Sequence, residues 1–167
     1  ILRAENLGVQ KEYIPIIYLL FNLVYSLSSM PLGMIADKIG LRKMIILGFI
    51  LYSLVYLGFG LANSAIYILP LFCIYGIFKG MSEGTQRAYV AALAPPERKA
   101  TAFGVYHTVS GIALLPASII GGILWDKIGA DATFFYGAIT GILSAVLFVI
   151  MIRNSGRSQD FKKSRFP

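Results

Sequence analysis

The chain has 167 residues, 57% of them hydrophobic and 14% charged, with a mean hydropathy of +0.72 and a formal net charge of +7. A soluble domain carries about 25% charged residues, so an ordinary soluble fold is excluded, and the long apolar runs point to a polytopic membrane protein. The positive charge gathers at the ends of those runs, which marks topology rather than a nucleic-acid surface, and one cysteine, Cys73, with one histidine, His107, excludes a disulfide framework or a cysteine or histidine metal site within this chain.

Residues 1–12 are polar, with Gly8 as a break, and the first four could be the last turn of a preceding helix. The chain begins at Ile1 rather than at a methionine, and we read it as a fragment or a processed product. The first span is expected over about 13–36. Its length without charge suffices to cross a bilayer core. Tyr18, Asn22, Tyr25 and Ser29 fall on one face of that helix. A polar stripe in lipid faces protein or a water-filled cavity, and Asn22 is its most costly member.

Gly33 to Lys43 follows, reading G-M-I-A-D-K-I-G-L-R-K. We read it as a cytoplasmic hairpin between two spans. A second span covers about 44–62, with Gly48, Ser53, Gly58 and Gly60 as small packing positions. The third begins near residue 65. Only about 14 residues, roughly 21 Å of helix, precede Lys79, and a bilayer core is about 30 Å thick. The helix must therefore continue through Lys79, Glu83 and Arg87 to about residue 93. These three are spaced four apart on one face, with Lys79 near the midplane and Tyr75 one turn earlier. Charges at that depth pair with one another and mark substrate or ion pathways.

The prolines of A-P-P-E-R-K end that helix. The fourth span, about 100–124, carries His107, a candidate polar contact or proton shuttle. Its Gly111, Pro116, Gly121 and Gly122 predict a bent helix closely approached by a neighbour. A short loop with Trp125 at the membrane interface leads to the fifth span, about 132–152. Gly137 and Gly141 there make a helix-packing pair. Residues 1–152 thus form one transmembrane bundle, and 153–167 a basic tail expected to be irregular.

Charge counting sets the orientation. Lys38, Arg42, Lys43, Arg98, Lys99, Arg153, Arg157, Lys162, Lys163 and Arg165 fall on one side, and Arg3, Lys11 and Lys127 on the other. The first side, with the C-terminus, is expected to be cytoplasmic. Gly33-x-x-x-Asp37-Lys38-Ile39-Gly40 has an echo at Gly122-x-x-x-Asp126-Lys127-Ile128-Gly129, on the opposite side. A unit repeated with inverted topology is a transporter signature.

The stretch from Gly33 to Lys43 resembles the loop signature of the major facilitator superfamily, G-x-x-x-D-[RK]-x-G-x-[RK]-[RK], at each of its typed positions. The order of the spans, the charged third span and the basic tail look like the C-terminal half of such a transporter, helices eight to twelve of twelve. The resemblance implies an all-α membrane protein: five transmembrane helices of a partial six-helix bundle built from inverted three-helix repeats. It implies secondary active transport of a small, unidentified solute by alternating access, coupled to a proton or ion gradient. The partners implied are the lipid bilayer, in a bacterial inner membrane, and the N-terminal transmembrane half, without which the chain is expected to be inactive. The first, third and fourth spans would line the cavity. Asn22, Tyr25, Lys79, Glu83, Arg87 and His107 would contact solute or a coupling proton, with Arg87 pairing with Glu83 or a substrate anion. Gly33, Asp37, Lys38, Gly40, Arg42 and Lys43 would form a gating loop against the other bundle. No cofactor or metal is expected, and no phosphate-binding loop for ATP occurs. Two competing functions are a non-transporting membrane sensor or scaffold on the same fold, and an intramembrane enzyme using Glu83 and His107. The enzyme reading lacks a nucleophile–base constellation.

Overall fold

A computed structural model describes the backbone of residues 2–165 and the side chains of residues 2–154. The basic residues of the tail beyond Arg153 lie outside the described side chains. Among the described residues all regular structure is helical: α1 (Leu2–Asn6), α2 (Ile14–Ile39), α3 (Leu41–Leu61), α4 (Ile68–Leu93), α5 (Lys99–Lys127) and α6 (Ala130–Arg165). Short 3-10 turns precede α2, α4 and α5 at Lys11–Tyr13, Ala65–Tyr67 and Pro96–Arg98. Five segments are long and apolar enough to cross a membrane: Lys11–Ile39, Leu41–Leu61, Ala65–Leu93, Pro96–Lys127 and Ala130–Asn154. Such an all-helical chain satisfies its backbone polar groups internally, as a bilayer core requires.

The connections are shorter than the sequence suggests. Gly33 to Ile39 are the last turns of α2, and Arg42 and Lys43 belong to the first turn of α3. The expected hairpin contracts to a single residue, Gly40, at φ +94°. Its N–H bonds to the Ala36 carbonyl, closing α2, and its own carbonyl accepts from Met44 N–H, opening α3. A side chain at that φ is strained, so only glycine lets one residue end one helix and start the next. The loop expected around Trp125 contracts likewise. α5 runs through Lys127, and Gly129 at φ +133° reverses the chain into α6. The echoed motif thus ends both times in a glycine of positive φ at a helix–helix junction. At the other end, the backbone of α6 stays helical to Arg165, where an irregular tail was expected from residue 153.

Packing follows the small residues. α2 lies mainly on α4, and α3 lies on α6 and α4. A Cβ at Gly76 would meet the Phe21 carbonyl oxygen at 2.9 Å, and one at Gly80 the Tyr25 carbonyl oxygen at 3.0 Å. These two glycines let the α2 and α4 backbones nearly touch. Gly137 receives the ring of Tyr56, and Gly141 receives Tyr52 and Ser53, so this pair packs α6 on α3. Ala4, Val55, Phe59 and Ile68 form one buried cluster, and Ala36, Met44 and Met81 a second.

α5 departs from expectation. None of its residues is buried. Gly111 and Gly122 face open space, and Gly121 meets only the Thr133 methyl at 3.7 Å. Its polar ties are Thr133 Oγ1 donating to the Gly121 carbonyl (3.1 Å) and Tyr106 to Gln86. The close neighbour predicted for its glycines is absent among the described residues.

Arg3 holds the opposite end of the bundle together. Its guanidinium donates to the carbonyls of Phe59 (3.1 Å), Gly60 (3.4 Å) and Ala62 (2.7 Å), and pairs with Asp131 at 2.5 Å. It therefore caps the orphan carbonyls ending α3 and ties α1 to the start of α6. The sequence reading took Arg3 only as a charge on one side of the membrane.

Candidate functional site

Between the charged ends of the spans, the acidic and basic side chains other than His107 of α5 all lie on α4, and Gly76 and Gly80 bring α2 against it. Tyr25 of α2 thereby reaches Glu83. Its hydroxyl donates to Glu83 Oε2 at 2.9 Å, and Lys79 Nζ donates to Glu83 Oε1 at 3.1 Å. Each carboxylate oxygen has its own donor, one from each helix. Lys79 and Glu83 are both about one-third exposed, so the pair opens onto a surface of the described chain rather than into its core. The Tyr25–Glu83 hydrogen bond joins α2 to α4, while Lys79 pairs with the same carboxylate within α4.

The remaining site residues lie around this triad. Asn22 donates its amide to the Tyr18 carbonyl of its own helix at 2.7 Å. Arg87, one turn beyond Glu83, is exposed and makes no ion pair among the described residues. The structure brings Lys79, rather than Arg87, onto Glu83. His107 is exposed on α5, its ring edge-on to its neighbour Tyr106 at 5.1 Å.

A second polar cluster was not anticipated. Gln86 Nε2 donates to Ser82 Oγ at 2.8 Å, and Tyr106 Oη donates to Gln86 Oε1 at 2.9 Å. Ser82 and Gln86 lie on the same side of α4 as Lys79, Glu83 and Arg87. The signal was present: all five are spaced three and four apart. Gly76-x-x-x-Gly80 was legible too, as a small-residue packing motif.

Gly40, Arg42 and Lys43 of the Gly33–Lys43 stretch sit at the end of the bundle, beside Tyr89, Ala92 and Leu93 of α4. Gly33, Asp37, Lys38, Gly40, Arg42 and Lys43 are all exposed. None of the charged members forms an ion pair among the described residues. Asp37 sits in the last turn of α2, and Arg42 and Lys43 in the first turn of α3. Both placements oppose the dipole of their own helix, where an anion belongs at the N-terminus and a cation at the C-terminus.

The whole chain, residues 1–167, matches the sequence profile described as Major Facilitator Superfamily. The chain belongs to the major facilitator superfamily. Among its relatives, an uncharacterized MFS-type transporter of Methanocaldococcus jannaschii is 41% identical over 157 residues, covering 90% of this chain and 39% of that protein. The tetracenomycin C resistance and export protein of Streptomyces glaucescens is 25% identical over 142 residues, 85% of this chain and 26% of that protein. The quinolone resistance protein NorA of Staphylococcus aureus is 25% identical over 156 residues, 92% of this chain and 39% of that protein. The chain thus spans less than half the length of each relative. As a member of the superfamily it is a multi-pass membrane protein of a transporter family rather than of an enzyme family. The superfamily resemblance read from Gly33 to Lys43 is borne out by the profile match.

Proposed function

We propose that this chain is part of a secondary transporter that moves a small solute across a cell membrane by alternating access, driven by a proton or ion gradient. The observation that carries the reading is the Glu83 carboxylate, on a membrane-spanning helix, shared between Lys79 of its own helix and Tyr25 of α2. Protonation of Glu83 frees Lys79 and weakens the tie between α2 and α4. Proton binding is thereby coupled to the packing of the two helices that meet through Gly76 and Gly80. Asn22 and His107 contribute polar contacts along the pathway.

The Gly33–Lys43 stretch acts as the gate. Its charges are placed against their own helix dipoles and are unpaired within the described residues, which supports a partner outside this chain. Contacts made in only one of two states shift the equilibrium toward that state. The junction and the C-terminus face the cytoplasm in this reading. Two relatives are named for resistance and one of them for export, which supports outward movement of the solute. The 167-residue chain by itself carries no transport.

Gradient-driven solute flux in proteoliposomes, with the protein expressed from its complete coding sequence, tests this. Glu83→Gln and Asp37→Asn are each expected to lower the flux at least tenfold. Flux unchanged by both substitutions would overturn the roles assigned here, and no flux of any solute would favour the sensor reading.

A further inference from the structure

α5 meets α4 at the turn between them and again at Tyr106. The turn, Pro96–Arg98, follows Pro95 and leads straight into α5 at Lys99. Tyr106 lies about two turns along α5, and its hydroxyl donates to Gln86 Oε1 of α4 at 2.9 Å. Between these points the two helices do not close on each other. They leave a crevice of about 410 Å³, with Val90 and Leu93 of α4 on one wall and Ala102 and Val105 of α5 on the other. From Arg98 to Tyr106 it runs about 12 Å along α5, at 1.5 Å of rise per residue. A volume of this size suits a small organic molecule, and walls of this kind hold its apolar body.

The polar demand of the crevice lies at one end. Tyr106 closes the inner end with its ring, its hydroxyl being spent on Gln86. Arg98 and Thr101 stand at the mouth. Arg98 is exposed and makes no ion pair among the described residues, and it is the one charged side chain among them that lines the crevice. Its neighbour Glu97 is exposed too, but is not among the lining residues. A guanidinium beside apolar walls favours an anion, and its planar fork matches a carboxylate or sulfonate through two parallel hydrogen bonds. Size separates a free molecule from a membrane lipid. Lipid acyl chains come in pairs and each reaches half of a core about 30 Å thick, whereas the crevice is a single slot of about 12 Å.

We propose that the α4–α5 crevice binds a small amphiphilic anion, its carboxylate or sulfonate on Arg98 and its apolar body laid between the two walls as far as the Tyr106 ring. The site lies at the end of the bundle away from Arg3. It stands apart from Lys79, Glu83 and Arg87, none of which lines it, and does not rest on the transport reading. An occupant ties α5, which buries no residue of its own, more firmly to α4.

Equilibrium binding of 2-naphthoate to the complete protein, in nanodiscs of zwitterionic lipid, tests this, with the neutral 2-naphthamide as its match in shape. The naphthoate is expected to bind at least tenfold more tightly than the amide. Arg98→Gln is expected to weaken the naphthoate at least tenfold and to leave the amide unchanged, and Arg98→Lys to restore most of the affinity. Val105 is 59% exposed, so Val105→Trp fills the crevice without displacing a buried side chain. That variant is expected to lose naphthoate binding while its thermal midpoint holds. Equal affinity for the two probes, no binding of the naphthoate, or naphthoate affinity unchanged in Arg98→Gln or in Val105→Trp would overturn the proposal. Displacement of bound naphthoate when phosphatidylglycerol replaces the zwitterionic lipid would overturn it too, by assigning the crevice to a membrane lipid.

Discussion

Three residues do work that their neighbours cannot replace. Arg3 is buried, and it satisfies three carbonyls at the end of α3 as well as Asp131. Arg3→Ala leaves those acceptors without their donor, and the expected loss is about 3 kcal/mol, seen as a lower thermal midpoint in detergent. Asp131→Asn should cost below about 1 kcal/mol, because the Asp131 side chain is 60% exposed and its pair is screened. Equal losses in the two variants would refute the capping role. Tyr25 donates to Glu83 through a single hydroxyl. Tyr25→Phe removes that donor and keeps the ring stacked on Phe21, so it is expected to slow flux several-fold while leaving the thermal midpoint nearly unchanged. Gly40 allows a one-residue junction at φ +94°, and Gly40→Ala adds strain of about 1–3 kcal/mol.

At the scale of helices, contact is governed by where glycine lies on each face. α4 carries Gly76, Gly80 and Gly84 in one row, yet the three are not equivalent. A Cβ at Gly80 would meet backbone of α2, while one at Gly84 would meet nothing within 4 Å. Gly80→Ala must push α2 away from α4 and is expected to destabilise by about 1–3 kcal/mol. Gly84→Ala should be neutral or stabilise by up to about 1 kcal/mol, through helix propensity alone. Thermal unfolding of the two variants side by side checks this, and equal destabilisation would mean that α2 does not sit where it is described. Widening the α2–α4 contact also draws Tyr25 from Glu83, so Gly80→Ala should lower flux along with stability. The unburied length of α5 belongs to this scale as well. A helix with an apolar surface all round is at home against lipid or other helices, and among the described residues no residue of α5 is fully buried.

Over the whole molecule, the two ends of the bundle differ in charge. The α2–α3 junction and the α4–α5 connection carry Lys38, Arg42, Lys43, Arg98 and Lys99, while Arg3, Lys11 and Lys127 lie at the other end. In the orientation proposed above, the positive-inside rule expects the first end to face the cytoplasm. In a Cys73→Ala background, Lys127→Cys should react with a membrane-impermeant maleimide in intact cells, and Lys38→Cys only after permeabilisation. The reverse pattern would invert the topology and remove Asp37 from a cytoplasmic gate. The echoed motif has a structural counterpart, since Gly40 and Gly129 turn the chain at opposite ends and the helices that follow them, α3 and α6, pack on each other. That is the arrangement expected when third members of two inverted units meet.

Much of this was legible in the chain itself. Hydrophobic length alone determines five spanning helices, because a bilayer core admits few other structures. The spacing of Gly33, Asp37, Gly40, Arg42 and Lys43 determines the family, and the spacing of Lys79, Glu83 and Arg87 determines that they share one face of one helix. A single helix's periodicity cannot tell which of two possible partners a carboxylate takes, nor which helix lies across from it. Those were decided by tertiary structure: Gly76 and Gly80 admit α2, α2 brings Tyr25, and Tyr25 with Lys79 occupies Glu83, leaving Arg87 free of it. Arg3 illustrates the same limit. Read along the chain it is one charge near a terminus, and only the fold brings the ends of α3 and α6 to it, because hydrogen-bond acceptors more than fifty residues away leave no trace in local pattern.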